Sequence, residues 1–445
     1  MIINICLNRP EKLLSHLIII DMSNSNILEN SKKCIQKTLE IKEILKNNKL
    51  PKVNKKSAQF YKKLTKKIKQ IYPKILSNDK KFGKCSGSIN PNLFSSFLDL
   101  KTREEINNNT CLIKINDNIK IFSNANNQLS DSIIKTIFSR TSLLEEFFSK
   151  KVTDLTISLS KDLRQLPEYK IQLKPKNING GWTYFTSNET GVVIYRLEEF
   201  AKVLLHELLH SFEFEISSDS SEIYSQKIKE IIEYDADIKL INETFIELGA
   251  NILNSVLIPI ETNKYNFSKI LENERYWSLY QAAKLIVHYG FSNFYEFLKY
   301  KKCMNISSNK EICERKCKKK ENGKCILSDK HPIITESTNF VSYIINRAIA
   351  FYLINDYTQI LIDITKSKSN NISSLFDINN NEDSIKFVNL ILDGYTNKGF
   401  ITTIDFLIRY IKKNEFDKMY VSSKEFNVYN SVRMSAYELD YSHRR

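Results

Sequence analysis

Glycine and proline are scarce in this 445-residue chain, at ten and eight residues. Those two residues are the strongest breakers of regular structure, so their shortage argues against a turn-rich β-fold and favours long helices. No segment reaches 18 uninterrupted apolar residues, and no membrane-spanning helix is expected. The first residues contain a short apolar run, LLSHLIII. It has neither a clean basic start nor an A-x-A-like cleavage site, so it is not read as a signal peptide. The expectation is an intracellular soluble protein.

Acidic residues are also in deficit: 51 against 66 basic ones, for a net charge of +15. Such a balance has two readings. One is attraction to nucleic acid or another polyanion. The other is a lysine-biased composition that solvates every face of the molecule. The lysines are spread along the chain, arginine is uncommon and no recognisable nucleic-acid module accompanies them, so nucleic acid is not the favoured partner. Hydrophobic residues at 42% and charged residues at 26% are those of an ordinary globular protein. The length suggests two or three domains, or one large core with additions.

Histidine is rarer still. There are six, and two of them sit four apart in EEFAKVLLHELLHSFEFE, residues 198–215. His206-Glu207-Leu208-Leu209-His210 is an H-E-x-x-H pattern. On an α-helix, residues four apart share a face, so both imidazoles can point at one atom. That atom is expected to be Zn2+, which takes imidazole nitrogen at about 2.0–2.1 Å. Glu207 is rotated about 100° from His206 and is not a ligand. It can reach a water held by the metal and take its proton. Phe200, Val203, Leu204 and Leu208 give the helix an apolar face, and Glu198 and Glu199 are expected in its first turn, where the dipole favours acids.

A catalytic zinc needs a third protein ligand and an open position. Downstream, SEIYSQKIKEIIEYDADIKLINETF offers Glu222, Glu230 and Glu233. Glu233 is preferred because Asp237 follows one turn later and can accept the free N–H of a ligating imidazole. Glu230 is the reserve.

H-E-L-L-H followed by EYDAD resembles the gluzincin branch of zinc metallopeptidases, over about 60 residues from Gly180 to about Leu240. The resemblance implies His206, His210 and Glu233 as metal ligands, Glu207 as catalytic base, and Asp237 as support of a ligand histidine. It also implies a peptide or protein substrate paired against a sheet edge beside the active helix, at Val192–Tyr195 or in TYFTS just before. Gluzincins place a His or Tyr beyond the third ligand to stabilise the transition state. His288, Tyr289 and Tyr343 are the candidates, and His288 is carried forward as the second catalytic residue. GGWTYFTSNETGVVIYRLEEFAKVLLHELLHSF together with ITESTNFVSYIINRAIAFYLIND is similar to zincin-like proteins of large DNA viruses, which would suit the Asn/Lys/Ile-rich composition and a cytoplasmic or virion location.

Four of the eight cysteines cluster: Cys303, Cys313, Cys317 and Cys325, spaced C-x9-C-x3-C-x7-C among lysines. This is not a standard zinc-finger spacing. A structural zinc site, two disulfides, or four free thiols in a basic loop all remain open. The other four are dispersed and read as buried thiols.

Residues 30–76 carry helical stripes, with Ser31 as a possible cap. Strands are expected at TCLIKI, NIKIFS, DLTISLS, EYKIQLK, WTYFTS and GVVIYR, and mostly helix thereafter, with a loose C-terminus from about 420. The fold class is α+β, predominantly helical: a zincin-like catalytic domain with a small sheet and an active-site helix, flanked by helical regions. The division is a helical N-terminal region at 1–130, the catalytic domain at 131–300, a Cys/Lys-rich insertion at 301–330 and a helical C-terminal region at 331–445 that completes the core. The function expected is a zinc metallohydrolase, most simply a peptidase. The alternatives are a non-catalytic zincin-fold structural or binding protein and a basic polyanion-binding protein.

Overall fold

The computed structural model describes residues 27–48, 50–77, 83–90, 98–123, 129–186, 190–232, 241–263, 265–298, 320–321, 324–325, 338–421 and 425–441. Most of these residues are helical. In chain order the longer helices are α1 (Glu29–Ile44), α2 (Lys55–Leu76), α3 (Leu100–Asn107), α4 (Asp131–Phe148), α5 (Phe200–Ser211), α6 (Ser218–Ile231), α7 (Ile241–Thr262), α8 (Phe267–His288), α9 (Arg347–Tyr352), α10 (Ile354–Ser367), α11 (Asn381–Gly394) and α12 (Lys398–Asn414). A π-helical turn, Val341–Asn346, runs directly into α9.

Local chemistry explains where several of them start and stop. Asn54 caps α2 by accepting from the Ser57 amide at 2.8 Å, and Phe60, Leu64, Ile68 and Ile75 form its buried stripe. Gly290, at φ +87°, follows the end of α8, a left-handed position that suits a residue without Cβ. Ser31 does not cap α1. The helix already starts at Glu29, and the buried Ser31 hydroxyl accepts from Arg433 at 3.0 Å.

Six strands form one mixed sheet: β1 (Gly83–Ser86), β2 (Cys111–Lys114), β3 (Ile119–Ser123), β4 (Asp154–Ser160), β5 (Gly181–Phe185) and β6 (Thr190–Arg196). Their spatial order is β1-β2-β3-β4-β6-β5. The β3–β4 and β4–β6 pairs are parallel, and the others antiparallel. Strand β6 is therefore interior, and β5 is the edge. EYKIQLK, expected as a strand, is not one. Both neighbours of β6 are already taken, and residues 168–174 instead make a turn in which Lys170 has φ +65° and Ile171 is exposed. The architecture is thus α+β and mostly helical.

One continuous buried cluster runs from Ile27 to Tyr441 and joins the N-terminal helices, the sheet and the C-terminal helices. Among the described residues no helix is long and apolar enough to cross a membrane.

The expectation of a loose C-terminus is overturned for residues 431–441, which are buried apart from Asp440. This segment has almost no regular structure, so its polar backbone needs partners from elsewhere. Glu274 on α8 supplies them, accepting the amides of Ala436 and Tyr437, both at 3.1 Å, and the Ser435 hydroxyl at 2.6 Å. Glu199 accepts the Met434 amide at 3.1 Å and the Ser435 amide. Arg433 lies fully buried and pairs with Glu438 at 3.0 Å. Replacing Glu274 by Ala leaves the buried Ala436 amide without an acceptor and reduces the Ser435 hydroxyl and Tyr437 amide to the bonds they make with each other's residue, and a destabilisation of about 2–3 kcal/mol is expected in denaturant titration. A change below about 1 kcal/mol would mean the segment is held by apolar contacts alone.

Candidate metal centre

Strand β6 delivers the chain to the start of α5. Glu199 makes the turn in a left-handed conformation, φ +63°, which a residue with a side chain adopts only at a cost. Its contacts hold it there: Arg164 pairs with its carboxylate, and its own amide donates to Glu438 at 2.7 Å. Glu198 and Glu199 thus precede the helix instead of filling its first turn, and they serve buried cations and amides. Every residue of α5 from Phe200 to His210 is buried.

His206 and His210 lie on one face, their ring centroids 4.9 Å apart. Helix α7 packs across that face and brings Glu243 to both. Glu243 Oε2 is 3.3 Å from His206 Nε2 and 3.2 Å from His210 Nε2. Two ligands of a tetrahedral ion at about 2.0–2.1 Å stand about 3.3 Å from each other, so these separations suit a shared metal. One donor atom from each of the three residues falls within 4.8 Å of the others. Two imidazoles and a carboxylate are a donor set that zinc accepts. Against the effect of burial, His210 and His206 hold the Glu243 carboxyl well below the usual range, while Glu243 and Glu215 lift His210 to about 10.

One turn beyond Glu243, Glu247 faces the other nitrogen of the first histidine, with its Oε2 at 3.1 Å from His206 Nδ1. A proton on Nδ1 directed at this carboxylate leaves Nε2 as the free donor atom. Glu247 is itself pinned by Lys202, by Arg347 at 3.2 Å and by Asn251 at 2.8 Å. Burial works to raise its carboxyl, and Lys202, His206 and Arg347 overcome that and keep it ionised.

Glu207 points toward the sheet. The Thr183 hydroxyl on β5 lies 2.9 Å from its carboxylate and 3.0 Å from its carbonyl oxygen. Gly181 permits the approach, since a Cβ there would stand 2.7 Å from the Val193 carbonyl and 3.1 Å from Glu207 Cγ. Burial pushes the Glu207 carboxyl up from its ordinary value. Tyr343, on the π-helical turn, completes the group. Its ring centroid is 5.8 Å from that of His206, and Glu243, Glu207 and Glu247 are the charged groups that act on its hydroxyl. Burial and the nearby carboxylates raise its hydroxyl well above 10, so it stays a donor. A cavity of about 30 Å³ borders His206, Glu207, Tyr343, Gly181 and Met434, room for one or two waters.

Comparison with family models, with characterised proteins and with solved structures yields no match.

Of the residues expected at the site, His206, Glu207 and His210 are brought together. Glu233 and Asp237 lie outside the described residues, as do Cys303, Cys313 and Cys317. Cys325 belongs to a short ribbon in which Lys324–Cys325 pairs with Lys320–Glu321. Glu222 and Glu230 are exposed on α6 and take no part in the donor cluster. His288 is engaged elsewhere: Nε2 faces the Ile171 carbonyl at 2.8 Å and Nδ1 the Tyr420 hydroxyl at 3.0 Å. Tyr289 is buried against Phe340 and accepts from the Leu173 amide. Glu243 and Glu247 were missed in the sequence, although ETFIE carries the same one-turn carboxylate spacing as EYDAD.

Two outcomes follow from this geometry. If the cluster holds zinc, His210→Ala and Glu243→Ala are expected to abolish stoichiometric binding in metal analysis, and Glu247→Gln to weaken it about 10–100-fold. Glu233→Ala leaves it intact, and loss there would move the third ligand. For His288, burial lowers the pKa from 6.5 to about 4. The unfolded chain then binds the proton more readily than the folded one between these values, so stability falls as pH drops from about 6.5 to 4, by about 3 kcal/mol in total. Comparing the pH profile of His288→Gln with that of the unaltered protein isolates this contribution, and parallel profiles would refute it.

Proposed function

We propose that the protein is a zinc-dependent peptidase of gluzincin-like design, with His206, His210 and Glu243 holding the metal. The observation that carries this reading is the approach of both imidazole Nε2 atoms to one oxygen of Glu243, on a helix whose H-E-x-x-H pattern places a carboxylate beside them. When bound, a zinc ion supplies Lewis acidity and makes a nearby water easier to deprotonate.

The remaining work falls to this chain's own side chains. Glu207 accepts a proton from the attacking water and returns it to the departing amine. Thr183 engages one oxygen of that carboxylate and fixes its direction. The raised Glu207 pKa makes the proton easier to retain between the two transfers. Tyr343 presents a hydroxyl that stays protonated and can donate to negative charge developing on the former carbonyl oxygen. Strand β5 pairs with β6 on one side, and among the described residues no strand pairs with its other side. An extended peptide adding to that edge would pass beside Glu207 and Thr183. This supports peptide over other acyl substrates.

Glu207→Gln is expected to keep one zinc per chain and to lose about 10²–10⁴-fold or more in turnover of a casein or mixed-peptide substrate. Tyr343→Phe should lower kcat by about 10²-fold with little change in KM. Full activity in Glu207→Gln would exclude the mechanism, and zinc retained without turnover in the unaltered protein would assign the site a structural role.

A further inference from the structure

Helix α2 has the sequence KKSAQFYKKLTKKIKQIYPKIL, with eight lysines and no carboxylate in 22 residues. All eight lysines are exposed, because the apolar stripe has already committed the opposite face to the core. At about 100° per residue they fall into two rows. Lys55, Lys62, Lys66 and Lys69 make one row, and Lys56, Lys63, Lys67 and Lys74 the other. Together the rows extend for about 28 Å, from Lys55 to Lys74, the rise of about eight base pairs.

A second observation lies beside the second row. Lys56 donates to Gln359, and Lys63 to the Asn370 carbonyl at 3.3 Å, which sets this row against α10 and the turn that follows it. Further along, Lys67 and Lys74 line a groove of about 830 Å³. Its opposite wall carries Asn371, Ser373 and Ser374, and its only carboxylate is Glu146. Among the described residues, no lysine of α2 is ion-paired. The ridge therefore concentrates positive charge next to a channel whose walls combine hydrogen-bonding groups (Gln70, Asn371, Ser373 and Ser374) with apolar Phe147 and Phe148 and the single carboxylate of Glu146, an arrangement suited to a chain of phosphates along its lysine side.

We propose that the α2 lysine ridge and its groove bind a nucleic-acid backbone without sequence preference. The exposed face offers a bilayer nothing to bury except Leu76 at its end, which separates this surface from a membrane-binding amphipathic helix. The surface is built from residues other than those of the metal centre, so the two assignments stand independently.

The test uses the full chain and fluorescence anisotropy with 20-mer DNA and RNA, single- and double-stranded, from 50 to 300 mM salt. One variant replaces Lys62, Lys66, Lys67 and Lys74 by Gln. A charge-matched control replaces Lys33, Lys161, Lys227 and Lys229, exposed on other elements, by Gln. The ridge variant is expected to bind at least tenfold more weakly at 0.1 M salt and to flatten the slope of log K against log salt by about 3–4. The control should stay within about threefold of the unaltered protein. An Arg variant of the ridge quartet should retain binding, which separates charge from folding. Equal losses in ridge variant and control would reduce the effect to bulk charge and overturn the proposal. So would absence of salt-dependent binding, or ridge-dependent binding to phosphatidylserine vesicles without binding to nucleic acid.

Discussion

The buried carboxylate of Glu247 is the interaction on which the rest of the candidate site depends. An ionised carboxylate away from water is costly unless several donors face it. Here Lys202 from the site helix, Arg347 from α9, Asn251 from its own helix and His206 all do so. The arrangement fixes the rotation of His206, and it ties α5, α7 and α9 together at one point. Glu243, one turn earlier on α7, then falls opposite both imidazoles as a matter of helix geometry. The orientation of the donor cluster and the packing of three helices are thus one constraint.

Around this point lies an unusually polar interior. Arg164, Glu198, Glu199, Arg433 and Glu438 are all buried near the start of α5, and Glu274 binds the C-terminal segment from α8. Such groups specify geometry more than they add stability, since their desolvation offsets much of their mutual attraction. Their service here is positional. They hold the strained Glu199 turn and keep Met434 against the cavity wall. The first turn of α5 has no side-chain cap of its own, and the Phe200 amide donates to the Leu197 carbonyl at 3.1 Å instead.

Much of this was legible in the residues. The stripes of α2 and α4, the end of α8 near Gly290, five of the six expected strands and the H-E-x-x-H helix follow from periodicity and breaker placement. EYKIQLK misled because local alternation does not say whether a segment reaches the sheet at all, and here it turns back at Lys170. Glu243 was hidden because EYDAD carries an Asp one turn after its Glu, whereas ETFIE offers a second Glu in that position. The burial of SAYELDY was hidden for a different reason. Its polar residues read as solvent-facing, yet Glu199, Glu274, Asn273 and Arg140, all more than 150 positions away, give them partners. Long-range polar pairing of that kind leaves no periodic trace.

The hydrogen bond from the Glu199 amide to Glu438 spans 239 residues of sequence. A chain emerging from the ribosome exposes the helix bearing His206 and His210 long before Glu438 and Met434 exist. The early chain therefore lacks the Met434 wall of the cavity beside Glu207. Closure of the cavity waits on a contact between positions far apart in sequence, and contact order sets how late it comes.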